Sequence, residues 1–183
     1  MTNRPGADWH AQRPKGHGQG QPVMNSYTGF GRIILTIIMA MCLRIAPWPG
    51  FLTGINPDWV LLVLIYWALA VPERVGIFHA WTIGLLTDVL TGRVFGQYAL
   101  AYSLVIYICL TLHKRLRQFP LPQQGLFIFF CLLSSQILLF WLKNIQHPTE
   151  LHASFWVPVF TGTLCWPLIY TALRRVRLSR RTK

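Results

Sequence analysis

The sequence predicts an all-α membrane protein built as a six-transmembrane-helix bundle. Three observations carry that prediction. The chain of 183 residues is 53% hydrophobic and only 12% charged, about half the charged share of a soluble domain. Its apolar residues fall into six long blocks that are dry on every side, whereas a soluble helix alternates a wet and a dry face. Its 17 Lys and Arg, set against 5 Asp and Glu, gather at the ends of those blocks, where they meet lipid headgroups and fix orientation.

Residues 1–28 stand apart. RPGADWHAQRPKGHGQGQP is rich in Gly, Pro and Gln without an apolar period, which predicts a disordered cytoplasmic N-terminal arm. Met24 lies just before the first block, so residues 1–23 read as a dispensable arm or an over-extended start. The first block, about 30–47, is FGRIILTIIMAMCLRIAP. Its basic-then-apolar order resembles a signal peptide, but no small-x-small cleavage site follows, so it reads as a retained first span. Five more blocks follow near 57–71, 76–92, 96–113, 123–142 and 154–173. Several fall short of the ~20 residues of a full span, which predicts a compact bundle with some short or broken helices. Each break carries helix punctuation, from Pro47-Trp48-Pro49-Gly50 to Gln146-His147-Pro148. Pro158 and Pro167 are expected to kink the last helix. The spans make a transmembrane domain over 29–174, and 175–183 a basic cytoplasmic tail.

Six spans put both termini on one side. That side collects 14 basic residues, including Arg32, Arg74, Lys114, Arg115 and Arg174, while the other holds Arg93 and Lys143 alone. The positive-inside rule makes both termini cytoplasmic. Trp48, Trp59, Trp141 and Trp156 fall near the outer span ends, as an aromatic belt requires. Nucleic-acid binding is excluded, because the charges cap apolar blocks instead of forming a basic face on a soluble module. Cys42, Cys109, Cys131 and Cys165 lie singly within apolar blocks and read as packing residues, with no zinc or redox spacing.

Few residues invite chemistry. Asn56-Pro57-Asp58 opens the second span: Asn56 suits an N-cap, Pro57 the first helical position, and Asp58 the positive end of the helix dipole. An outer-surface contact is the alternative role for Asp58. Asp88 is harder to place, because it lies near the outward C-terminal end of the third span, where the dipole disfavours a carboxylate. A central carboxylate costs about 2.5–3.5 kcal/mol on insertion scales, so something should compensate. Arg44, at similar depth on the first span, is the expected partner, with Arg93 as its rival. Gly84, Gly92 and Gly96 surround Asp88 at steps of four. Gly84, Asp88 and Gly92 predict a close helix contact, and Gly96 the opening of the next span. No second acid completes an aspartyl dyad, and neither a nucleophile elbow nor a His-Glu-x-x-His motif occurs. No catalytic residue, metal site or cofactor is expected. Ser134-Ser135-Gln136 is expected to form hydrogen bonds between helices.

Several stretches resemble a known family. INPDWVLLVLIYWALAVPERVG, GLLTDVLTGRVFGQYALAYSL, FPLPQQGLF, SSQILLFW and LCWPLIYTALRRVR, in that order over about 30–178, are similar to the rod shape-determining protein MreD family. The most specific are Asn56-Pro57-Asp58-Trp59, the Tyr66-Trp67 pair with Val71-Pro72-Glu73-Arg74-Val75, and Gly84 to Gly96 around Asp88. The resemblance implies a non-enzymatic multi-pass component of the bacterial elongation machinery. Its implied partners are MreC, MreB and, through the complex, RodA and a class B penicillin-binding transpeptidase. It also implies a fold like that of the substrate-binding components of energy-coupling-factor transporters. Membrane lipids are expected around the spans; the basic loop Lys114-Arg115-Leu116-Arg117 and the tail read first as topogenic charges, with contact to anionic lipid or a cytoplasmic partner as the alternative. The alternative function is a small-molecule or lipid-binding or transport protein with a pocket near Asp88, drawing on Arg44 and Asn56.

Overall fold

The computed structural model describes residues 26–47, 55–92, 96–116, 118–146 and 155–178. Of the predicted arm 1–28, residues 1–25 lie outside the described residues, as do Trp48, Arg93, Arg117, His147, His152 and the tail beyond Leu178, while 26–28 are helical and extend the first span at its start. Within them the chain forms six helices and no strand: α1 (Ser26–Ile45), α2 (Trp59–Ala70), α3 (Ile77–Leu90), α4 (Gln97–Leu116), α5 (Leu121–Gln146) and α6 (Val157–Leu178).

The helices begin and end where Pro, Gly and capping residues place them. Asp58 caps α2, its side chain accepting from the Leu61 N–H. This moves the cap two residues beyond the expected Asn56: Asn56 and Pro57 both lie before the helix, and Asn56 Oδ1 accepts from Trp59 Nε1 at 2.6 Å. α3 starts after Gly76 and stops at Thr91, where Gly92 turns the chain with φ +62°. Of the two prolines expected to kink the last helix, Pro158 lies in the first turn of α6, where a missing N–H breaks no helical bond. Pro167 lies within α6, which runs through it to Leu178.

α2 is the centre of the bundle. Every residue from Val60 to Leu69 is buried, and α2 packs on α1, α4 and α6. α3 leans chiefly on α4, and α5 joins α4 to α6. Cys109 and Cys131 meet across α4 and α5 with their sulfurs 4.0 Å apart, buried and unbonded covalently. The exterior, by contrast, is covered with Leu35, Met39, Phe78, Phe130 and Leu164. So continuous an apolar surface suits lipid or a protein partner, not water. Two helices, Gln97–Leu116 and Pro122–Ile145, are long and apolar enough to cross a membrane, while α2 and α3 are apolar but shorter.

The two ends of the bundle differ. At one end Arg32 of α1 donates to the carbonyls of Val176 and Arg177 on α6, at 3.1 and 3.4 Å. Gln124 Nε2 of α5 donates there to the last carbonyl of α4, Leu116, at 2.9 Å. The opposite end gathers the α1 C-terminus, the α2 N-terminus, the α3 C-terminus and the α4 N-terminus. Gln136 reaches from α5 to the carbonyl of Phe155 at 2.7 Å, whereas Ser134 bonds its own helix at Cys131. Among the described bonds Gln136 therefore reaches outside its own helix, but to the residues before α6 and not to a helix.

Candidate functional site

The polar residues of the second end form one connected network built from backbone ends upward. α4 opens at Gln97 after Gly96, whose φ of +105° only glycine adopts readily. Glycine has no side chain with which to cap the four free N–H groups of a helix start. Asp88 supplies the cap from the neighbouring helix. Its Oδ2 accepts from Gly96 N–H at 3.0 Å and Ala99 N–H at 3.3 Å, and its Oδ1 from Tyr98 N–H at 2.9 Å. The carboxylate is fully buried. Three charge-assisted bonds and the positive end of the α4 dipole hold it there.

Gly84 makes that cap reachable. It lies one turn before Asp88 on α3, on the face turned to α4. A Cβ there would stand 2.4 Å from Ala99 Cα and 2.7 Å from the Tyr98 carbonyl oxygen. Those neighbours are backbone atoms, so only a hydrogen at this position lets α3 approach the first turn of α4. The glycines around Asp88 therefore serve three different ends: Gly84 gives close approach, while Gly92 and Gly96 turn the chain through positive φ. The expected helix face shared by Gly84, Asp88 and Gly92 shrinks to Gly84 and Asp88, because Gly92 lies past the end of α3.

Arg44 does not pair with Asp88. Its Nη1 lies 2.9 Å from Asp58 Oδ1, because α1 packs on α2 while Asp88 is turned to α4. Asp58 thereby does double duty, capping α2 through Leu61 N–H at 3.2 Å and accepting Arg44. Tyr102 Oη donates to the same carboxylate, 2.9 Å from each oxygen. Arg44 Nη2 donates to Tyr98 Oη, and its guanidinium lies over the Tyr98 ring, 4.6 Å from the centroid, a cation–π contact. Tyr98 and Tyr102 stand one turn apart on α4, their rings 5.6 Å apart.

The network thus runs from Asp88 through Tyr98 to Arg44, and on to Asp58 and Tyr102. It ties α3, α4, α1 and α2 together at one end. Sequence reasoning named Arg44, Asp58 and Asp88 but missed Tyr98 and Tyr102. The available signal was two tyrosines at i and i+4 near the outer end of an apolar span, at the depth of Arg44. Asn56 and Pro57 stand apart from this network. They line a separate apolar cavity of about 320 Å³ with Trp59, Thr161 and Cys165.

The arrangement is suited to holding helices, not to moving protons. Both carboxylates are engaged by backbone donors, and Asp58 also by a guanidinium. Among the described residues no group of three or more His, Cys, Asp or Glu is placed to hold a metal ion.

The comparisons with known proteins agree with the motifs. The family model of rod shape-determining protein MreD matches residues 25–176. Rod shape-determining protein MreD of Haemophilus influenzae (strain ATCC 51907 / DSM 11121 / KW20 / Rd) is 30% identical over 145 residues, spanning 79% of this chain and 90% of that protein. No solved structure matches the chain. The matched region takes in all six helices apart from the last residues of α6, including each member of the polar network, and the chain belongs to the MreD family.

Proposed function

We propose that this protein is a non-enzymatic membrane scaffold of the bacterial elongation machinery and acts in determining rod cell shape. The observation that carries this reading is the family match over nearly the whole bundle. The apolar exterior and the engagement of both acids as helix caps support it. All six helices cross the inner membrane, with the Arg32, Lys114 and Arg174 end cytoplasmic by the positive-inside rule. Its partners are MreC directly, then MreB, and RodA with a class B penicillin-binding transpeptidase through the complex. The six-helix arrangement is placed beside that of the transporter substrate-binding components on helix number and resemblance alone, and no ligand transfers with it.

The rival reading, a small-molecule site near Asp88, draws no support from the geometry. That side chain is sealed from solvent, and both of its oxygens accept from backbone. Depletion and complementation test the scaffold. Cells depleted of the protein should round up, and the full chain should restore rods and co-purify MreC. Restored rods with no retained MreC would refute direct scaffolding.

A further inference from the structure

The apolar belt around the bundle is not of one height. On α5 its exposed side chains run from Leu126 to Ile145, about 29 Å at a rise of about 1.5 Å per residue. That matches the ~30 Å hydrocarbon core of a bilayer. α3 has only 14 residues, and its exposed apolar side chains run from Ile77 to Leu90, about 20 Å. On α1 they run from Phe30 to Ile45, about 22 Å, and Arg32 and Arg44 fall within that stretch. α1 and α3 share a side of the bundle, where the rings of Phe30 and His79 touch with centroids 6.3 Å apart. α5 belongs to another side, between α4 and α6.

Bonds fix the short side at its low height. Arg32 is engaged by the carbonyls ending α6, and Arg44 by Asp58. Neither guanidinium is therefore available to stretch outward to a distant headgroup, as exposed arginines do. At the end of α3 the Asp88 carboxylate is held by the first turn of α4, which keeps the two helices level there. Tilting cannot supply the missing length, because a tilted helix reaches less far across a bilayer.

The outward side chains suit lipid better than a packed helix. Helices in a membrane approach one another through small residues. Here Ala80 and Gly84 on α3 and Ala40 on α1 are buried within the bundle. Leu35, Met39, Phe78 and Trp81 are what face outward.

We propose that the protein thins the bilayer beside α1 and α3, holding the hydrocarbon there to about 20 Å while α5 meets the ordinary thickness. A span shorter than the hydrocarbon is accommodated by thinning of the lipid around it. The inference rests on the membrane reading above, and it adds a lipid boundary that differs from side to side. The partner of the α1–α3 side is phospholipid with short or splayed acyl chains.

Spin labels read the thickness at each side. The full chain would carry Cys42→Ala and Cys165→Ala, which leaves only the buried Cys109 and Cys131. Single labels then go on Phe78→Cys or Val89→Cys of α3, and on Leu126→Cys or Ile145→Cys of α5, all at exposed positions. An unaltered melting temperature shows that each labelled bundle is intact. In dioleoylphosphatidylcholine vesicles, collision rates with oxygen and with a water-soluble nickel chelate give each label's depth below its nearer hydrocarbon boundary. Phe78 and Val89 stand about 17 Å apart along α3. Their two depths should sum to about 4 Å in a thinned bilayer, against about 13 Å in a flat one. The α5 pair, about 29 Å apart, should sum to about 2 Å. A sum near 13 Å on α3 would overturn the thinning while leaving the membrane reading in place. Labels on α3 immobilised by a second copy of the chain, and freed on dilution with lipid, would overturn it too. Water contact at all four labels would overturn the membrane reading and the thinning with it, so the two failures are told apart.

Discussion

Gly84 and Asp88 act as one device, and each makes a separate prediction. Gly84→Ala puts a methyl 2.4 Å from a backbone carbon of α4, and only movement of a whole helix relieves it. Alanine is the better helix former by about 1 kcal/mol, yet overpacking of this kind costs about 1–3 kcal/mol. Unfolding of the purified protein in micelles should therefore show a net loss for Gly84→Ala. Gly125→Ala, whose new methyl meets nothing within 4 Å, should lose nothing. Asp88→Asn keeps the shape but leaves one acceptor oxygen for three backbone donors. A buried N–H then goes unpaired, at about 1–3 kcal/mol. Arg44 belongs to a different pair. In a double-mutant cycle, Arg44→Leu with Asp58→Leu should show a coupling of about 1 kcal/mol or more, and Arg44→Leu with Asp88→Leu a smaller one. The reverse order would refute the pairing described here.

The turn between α3 and α4 shows how far a sequence reading reaches at the scale of elements. Glycines at both ends of the turn were legible as helix punctuation, as were the prolines that bound α2 and α5. Breaks of this kind are local properties of the chain, so five block boundaries fall within a few residues of the helix ends. What glycine does at each position was not legible, because positive φ and close approach leave the same letter in the sequence. The two uses separate by substitution. At Gly92, with φ +62°, asparagine fits the left-handed region and should be nearly neutral, while alanine should cost about 1–2 kcal/mol. At Gly96, with φ +105°, asparagine and alanine should both destabilise, because only glycine takes that conformation without strain. A neutral Gly96→Asn in the same unfolding assay would show that the α4 start tolerates another backbone.

Across the whole molecule, neighbour relations were the part that sequence left hidden. In lipid a helix apolar on all sides is equally suited to the centre and to the rim, because hydrophobicity no longer marks the inside. That is why nothing in the sequence marks α2 as the hub, and why depth alone pairs Arg44 with Asp88 although its neighbour is Asp58 at the start of α2. The same physics gives a test of the exterior. Leu64 on α2 is fully buried, whereas Leu35 on α1 is 67% exposed. Leu64→Ala opens a cavity and should cost about 2–5 kcal/mol. Leu35→Ala trims a side chain on the exterior and should cost far less. Leu35→Gln decides between environments: on a water-facing surface the amide would be tolerated, but among acyl chains it buries a polar group without partners, at about 1–3 kcal/mol or more. Measured by reconstitution and unfolding in bilayers, a clear loss for Leu35→Gln beside a near-neutral Leu35→Ala places α1 against lipid. Equal, small effects of both would place that face against water.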